Sequence, residues 1–400
     1  MLIIELLLGL LIGCLIGIFT GITPGVHINL VSVIILSFSP WLLEFVSPLT
    51  LGLVIVGMTI VHTFLDSIPA TFLGAPDSDE VLSVLPGHKL LLKGRGYEAV
   101  TRTAIGTLAA AMIMIALTPA LILLVNVLYP LVKEKMSFIL LILCCFFICK
   151  EPRSKLWALL VFSLAGVLGI VTLTMGLKDP LFPLFSGLFG TAGLLLSINE
   201  KVNVPQQEIS FPVIEKKQGF GTLLSAVISG SLCSMLPGLG PSQAAMVGAQ
   251  FTKSMTGETF LILNSALNMV NMMMSFITLY AINKGRNGAI VVVGEIVGKI
   301  GKEELLMLLA GVLIALGIGT WLTLSLTKVF AKLMTKINYK KLCIGIIIFV
   351  TGLVIFMTSW QGLLIYLTAT SLGLLPPLKN VGRSHMMGCL LVPIILFLIL

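Results

Sequence analysis

Apolar runs follow one another along almost the whole chain, at 2–22, 26–43, 49–73, 103–128, 136–149, 156–176 and 181–198, and then at 221–236, 242–252, 258–282, 303–327, 342–358, 361–375 and 385–400. A helix needs about 20 such residues to cross a hydrocarbon core. The polar stretches between the runs are too short to fold alone, so the pattern predicts an all-α polytopic membrane protein. The polar stretch Asn199 to Gln218 divides the runs into two sets with the same order of long and short. That points to a duplication: a first transmembrane repeat over 1–198, a linker over 199–219 and a second repeat over 220–400.

Short words recur in the same order in both halves. Gly17 and Thr23-Pro24-Gly25-Val26 match Gly230 and Leu236-Pro237-Gly238-Leu239. Lys93-Gly94-Arg95-Gly96 matches Lys284-Gly285-Arg286-Asn287, and Leu177-Lys178-Asp179 matches Leu378-Lys379-Asn380.

Charge gives orientation. Only 10% of the residues are charged against 57% hydrophobic, where a soluble protein carries about 25% charged. The net charge of +8 sits in short loops and not in an aromatic-interleaved stripe, so it reads as a topology signal and no nucleic-acid partner is expected. Lys328 to Lys341 holds five lysines and no acid, which makes that loop cytoplasmic. Counting spans from there, the first-half cluster Lys150, Arg153 and Lys155 is also cytoplasmic although it is equivalent to an uncharged turn, Ser359 to Gln361, in the second half. The halves are therefore inverted, the N-terminus lies outside, and the linker lies inside. The count closes only if the paired runs opening each half return to the side they came from. Both pairs are expected to be helical hairpins, re-entrant from opposite faces, with Pro-Gly tips inside the membrane. The first run has no basic leader and contains Glu5, so it is expected to stay in the mature fold.

Each tip breaks one helix and starts another, and the new helix presents unpaired N–H groups and the positive end of its dipole, which suits an anion. The candidate substrate residues are Thr23, Pro24, Gly25, His27 and Asn29 at the first tip, and Pro237, Gly238, Gly240, Ser242 and Gln243 at the second. Within 49–73, His62 and Asp66 are one helical turn apart with Ser67 beside them. An acid at that depth defaults to a functional role, so Asp66 and His62 are the coupling-ion candidates, for a proton or sodium. Asn264, Ser265, Asn268 and Asn271 make a polar face on 258–282, with Ser67 and Asn268 added to the substrate set. Helix-to-helix hydrogen bonding competes with that reading. His62-Thr63-Phe64-Leu65-Asp66 fits a bare H-x-x-x-D spacing, but no H-E-x-x-H, G-x-S-x-G or P-loop is present, so no enzyme, cofactor or metal is expected. The seven cysteines lack paired metal or redox spacing.

Two stretches carry a resemblance. Ser67-Ile68-Pro69-Ala70-Thr71-Phe72-Leu73-Gly74-Ala75-Pro76, followed by Leu85-Pro86-Gly87-His88-Lys89 and Lys93-Gly94-Arg95-Gly96-Tyr97-Glu98-Ala99, resembles the long signature of the TctA family, the large permease subunits of tripartite tricarboxylate transporters. Leu236-Pro237-Gly238-Leu239-Gly240-Pro241 resembles that family's second hallmark, and the chain resembles its short archaeal form. The resemblance implies carboxylate uptake driven by an ion gradient, with a small membrane subunit and a binding protein as partners. The sequence departs from bacterial members at Ser265 to Met273, which is polar but carries no acid, and it places no Lys or Arg within a span to neutralise a trivalent anion. The expected function is a secondary transporter of a small organic anion, bound at the midplane between the tips, in contact with membrane lipid and compatible with a homodimer. The alternative is a translocase for a polyprenyl-phosphate-type lipid carrier, to which paired hairpins and helix N-termini are equally suited.

Overall fold

A computed structural model describes residues 2–23, 28–74, 82–177, 180–199, 205–236, 239–252, 255–334 and 339–399, and every regular element among them is helical. The first half comprises α1 (Leu2–Ile22), α2 (Ile28–Leu42), α3 (Pro48–Leu65), α4 (Ser67–Phe72), α5 (Val84–Leu91), α6 (Gly96–Lys133), α7 (Met136–Lys150) and α8 (Lys155–Thr174). It ends with α9 (Leu181–Phe185), a π-helical turn over Ser186–Thr191 and α10 (Ala192–Asn199). The second half comprises α11 (Lys216–Cys233), α12 (Pro241–Phe251), α13 (Gly257–Ile282), α14 (Gly288–Val297), α15 (Lys302–Met334), α16 (Tyr339–Gly373), α17 (Leu375–Lys379), a 3₁₀ turn over Arg383–Met387 and α18 (Gly388–Ile399). Seven helices among the described residues are long and apolar enough to cross a bilayer. The chain is thus a multi-pass, all-α membrane protein, and α16 joins two expected runs across a single non-helical residue, Ser359.

Helix starts follow local chemistry. The Ser47 hydroxyl accepts from Thr50 N–H with Pro48 in the first turn of α3, Ser154 does the same for Trp157 at α8, and Thr256 caps α13 through Thr259 N–H. Glycine sets the closest packing. Gly9, Gly13, Gly17 and Gly21 form a stripe on α1 at four-residue spacing, and a side chain at any of them would collide with Thr50, Val54, Met58 or Leu65 of α3; a Cβ at Gly17 would lie 2.6 Å from the Met58 carbonyl oxygen. Association in lipid depends on such close backbone approach. Successive contacts advance together on both helices, so α1 and α3 are parallel, and Glu5 accepts from Ser47 N–H (2.9 Å) and Thr50 Oγ1 (2.7 Å) where both begin. The short connection from Leu42 to Pro48 then requires α2 to return to the face where α1 started.

The second half repeats this arrangement on different helices. Gly230 of α11 packs on Leu267 and Val270 of α13, and Ser234 just beyond it donates to Asn271 Oδ1 (3.0 Å), so α11 and α13 are parallel. Gly248 of α12 faces Ser225, Ser229 and Leu263, and Ser225 donates to the Gly248 carbonyl (2.6 Å), which brings α12 back alongside α11. Gly17 and Gly230, matched in sequence, therefore have the same packing role.

The long helices cross over between halves. α15 runs parallel to α3, with Gly311 on Leu53 and Gly319 on Phe64, while α6 runs parallel to α13, with Gly106 on Ile262 and Ser265. Arg95 and Arg102 pair with Glu258 at 2.9 and 3.0 Å where α6 and α13 start. Phe72 meets Phe330, with ring centroids 6.1 Å apart, close to where α4 and α15 end. Because Gly96, which opens α6, packs against Phe72, the group α1, α3, α15 runs opposite to α11, α13, α6. Two main apolar clusters result, beside a trio of Leu90, Ala99 and Leu261. The large one joins these six helices; the small one joins α8, α9 and its π turn, the second part of α16, and Val381–Cys389.

One sequence match does not survive. Lys93–Gly96 leads directly into the long helix α6, whereas Lys284–Asn287 leads into the short helix α14, so the two words occupy different places in their halves. The recurrence was composition: Lys, Gly and Arg are common where apolar helices turn. α11 begins at Lys216. The linker is strapped down before that, with Gly96 N–H donating to Gln207 Oε1 (2.8 Å) and Glu208 N–H to the Gly94 carbonyl (2.8 Å). Leu177-Lys178-Asp179 lies partly outside the described residues.

Candidate substrate site

Pro24, Gly25, His27, Pro237 and Gly238 lie outside the described residues, but the chain on both sides of each tip is placed. Thr23 closes α1, its N–H donating to the Phe19 carbonyl (3.1 Å). Asn29, Gly240, Ser242 and Gln243 come together in one cavity of about 360 Å³, a size that accepts a small molecule. The first turns of α2, α12 and α14 all reach this cavity. Asn29 Oδ1 accepts from Ala289 N–H (3.1 Å) and so joins the start of α2 to the start of α14.

Gln243 is 1% exposed. Its Oε1 accepts from Gly240 N–H (2.8 Å), which fixes the amide's orientation and leaves Nε2, a buried donor, with no partner among the described residues. Arg286 lines the same cavity. Its Nη2 donates to the Met235 carbonyl (2.9 Å), its guanidinium carbon sits 5.2 Å from the centre of the Tyr129 ring, and its buried Nε has no partner among the described residues. The loop carrying Arg286 folds inward: Ser275 Oγ accepts from the N–H groups of Arg286 and Asn287, both at 2.8 Å, two turns before α13 ends, so the loop dips about 10 Å along that helix. Arg286 therefore lies level with the last two turns of α13 and not beyond its end. It was hidden because Asn283-Lys284-Gly285-Arg286-Asn287 has the composition of a surface turn. The signal that could have found it is α14, whose ten residues are too few to cross the membrane.

His62, Asp66, Ser67 and Asn268 form a second cluster, all four side chains buried. Asp66 sits at the joint between α3 and α4, and Asn268 Nδ2 approaches its Oδ2 at 3.4 Å. His62 Nδ1 meets Thr20 Oγ1 of α1 at 3.1 Å, and Ser67 Oγ donates to the Phe64 carbonyl (2.9 Å). The expected substrate set is thus divided: Ser67 and Asn268 belong with the acid, and Asn29, Gly240, Ser242 and Gln243 belong with Arg286. Asn268 and Asn271 are one turn apart on α13, and through them that helix connects the two clusters.

A third feature opens at the face where α6 and α13 begin. A vestibule of about 1230 Å³ is lined by Lys89, Lys93, Lys150, Arg153 and Arg383 together with Glu151, Glu258 and His385. Met246, Ala249 and Gln250 of α12 lie on its wall, while the opposite end of α12 borders the central cavity. α12 is the partition between them. At the rim His385 Nε2 lies 2.9 Å from Glu151 Oε2. Burial pulls the Glu151 carboxyl upward, but His385 and the Gly382 and Arg153 N–H groups outweigh it and hold it below its ordinary range.

A helical bundle with a small cavity between two packing clusters, lined by helix starts and a half-buried guanidinium, suits a membrane permease. The chain belongs to the TctA family, the tripartite tricarboxylate transporter TctA family, whose model matches residues 7–388. It is a permease component of that transporter class, whose members work with other tripartite subunits and with substrate. It is also similar to an uncharacterized protein of Methanocaldococcus jannaschii, with 29% identity over 386 residues covering 94% of each chain. No solved structure matches.

Proposed function

We propose that the protein is an ion-gradient-coupled secondary transporter of a small organic anion, a carboxylate, built from two inverted repeats over 1–198 and 220–400. The observation that carries the reading is the central cavity: Gln243 Nε2 and Arg286 Nε are buried donors without acceptors among the described residues, beside the positive ends of α2, α12 and α14. An oxygen anion meets all of these needs at once. Asp66 is the coupling group, because a buried acid at that depth is costly in hydrocarbon and defaults to a site for a proton or a cation. The reciprocal packing of α1 on α3 on α15 and of α11 on α13 on α6 supports the inverted repeat. The cavity's size favours a solute over a polyprenyl-phosphate carrier, whose chain would need a lateral groove.

Uptake of labelled carboxylate into proteoliposomes tests the site. Gln243→Leu keeps the volume and removes the amide, and uptake is expected to fall at least tenfold with the protein still monodisperse. Wild-type uptake in that variant would place the site elsewhere. Cysteine-accessibility labelling in a cysteine-free background tests the repeat. The turns at Lys150–Lys155 and Lys328–Lys341 should react from the cytoplasm and the N-terminus from outside; an N-terminus on the same side as those turns would overturn the inverted topology.

A further inference from the structure

The family name speaks of tricarboxylates, but the cavity's charge and its walls point to a different substrate. Among the described residues lining it, Arg286 is the only charged side chain. The other polar groups are neutral amides and hydroxyls, such as Asn29, Gln243 and Asn271, which orient a carboxylate without balancing charge. A trianion held here would bury two carboxylates with no countercharge, and the burial of an unpaired ion is among the costliest steps available to a protein. The neighbouring cluster adds to that cost, because Asp66 is reached one turn away along α13, and a cation taken up at Asp66 would cancel only that carboxylate's own charge.

The walls are segregated. The polar groups come from α2, α12, α13 and the inward loop before α14. Facing them, Leu181 and Phe185 of α9 and Met387 and Leu390 at the start of α18 present apolar surface, and Leu236 and Leu239 flank the second tip. Phe185, Met387 and Leu390 belong to or pack on the small apolar cluster, so the cavity lies on the seam between the two clusters, with donors on one side and hydrocarbon on the other. A ligand with charge at both ends would place a carboxylate against this apolar wall.

We infer that the substrate is an amphiphilic monocarboxylate, one carboxylate on a short branched or unbranched apolar body, held by Arg286 and Gln243 at its head and by the α9 and α18 wall at its tail. The inference rests on the reading of this cavity as the transport site, and the experiment separates the two. Isothermal titration of the purified protein with 3-methylbutanoate, succinate and citrate is made on the wild type, on Arg286→Gln and on Leu390→Gln. The wild type is expected to bind 3-methylbutanoate at least tenfold more tightly than citrate, Arg286→Gln to lose at least tenfold of that affinity, and Leu390→Gln to weaken 3-methylbutanoate while sparing succinate. Citrate binding tightest, with loss in Arg286→Gln, would overturn the monocarboxylate and leave the cavity as the site. Binding of all three acids that is unchanged in both variants, or no binding of 3-methylbutanoate by the wild type, would overturn the site and the substrate class together. If Arg286→Gln does not purify, Leu390→Gln alone decides, since an unchanged preference there shows that the apolar wall does not meet the ligand.

Discussion

The α1–α2 and α11–α12 pairs each pack on the long helix that follows them, yet they are held by different forces. α1 lies on α3 through four glycines whose neighbours include backbone atoms of Thr50, Val54, Met58 and His62. α11 and α12 lie on one another and on α13 through Gly230, Gly248 and serines, with Ser225 and Ser234 making side-chain hydrogen bonds across the helices. The contrast continues in charge. The first hairpin ends beside His62 and the carboxylate of Asp66, the second beside the guanidinium of Arg286. Asn268, beside Asp66, and Asn271, on the cavity that Arg286 lines, thus lie one turn apart on α13.

The sharpest way to break the comparison is at the glycines. A Cβ at Gly13 meets Val54 backbone, which cannot move without moving α3, whereas a Cβ at Gly230 meets the side chains of Val270 and Leu267. Gly13→Ala is expected to cost about 3 kcal/mol and Gly230→Ala about 1 kcal/mol, at the two ends of the usual overpacking range. Thermal unfolding of the two variants in detergent checks the order; equal losses would mean that the hairpins are held alike.

The charge contrast predicts a separation of functions. Asp66→Asn should be no less stable than the wild type, since a carboxylate in the membrane costs about 2.5 to 3.5 kcal/mol on insertion scales. It should nevertheless lose at least tenfold in gradient-driven accumulation while equilibrium binding of substrate changes less. Proteoliposomes under imposed proton or sodium gradients, compared with binding to the detergent-solubilised variant, measure both. Accumulation that keeps its gradient dependence would make Asp66 a structural residue.

The smallest effect lies at the vestibule rim. Glu151 is held below its ordinary range by His385 and by backbone N–H groups, so its contribution to stability is fully present above the ordinary carboxylate range of about pH 4 to 4.5 and is lost as pH falls below it. Melting temperature measured against pH should therefore fall less steeply below pH 4.5 in Glu151→Gln than in the wild type; parallel curves would remove the Glu151–His385 pair from the account.

Most of the helical plan was legible because hydrophobic run length reports directly on membrane spans, and α13, α8 and the kink at Ser359 fall within a few residues of the runs. The glycine stripe of α1 was present in the sequence as a four-residue spacing, but what it packs against depends on α3, 41 positions later at each contact. The division of the candidate residues into two clusters was not legible for the same reason: Asn29 and Gly288 are brought together by tertiary packing alone, with a Cβ at Gly288 falling 2.8 Å from Asn29 Oδ1. Arg286 escaped because loop composition gives no depth, and its depth is fixed by Ser275.

That meeting of Asn29 and Gly288 tests the central claim, that one cavity assembled from both halves carries the anion. The double variant Asn29→Cys/Gly288→Cys in a cysteine-free background can be oxidised in native membranes and assayed for carboxylate uptake before and after reduction. An intramolecular disulfide that blocks uptake is expected, with recovery of uptake on reduction. Failure of the pair to cross-link, or uptake that proceeds at the wild-type rate with the disulfide closed, would contradict it.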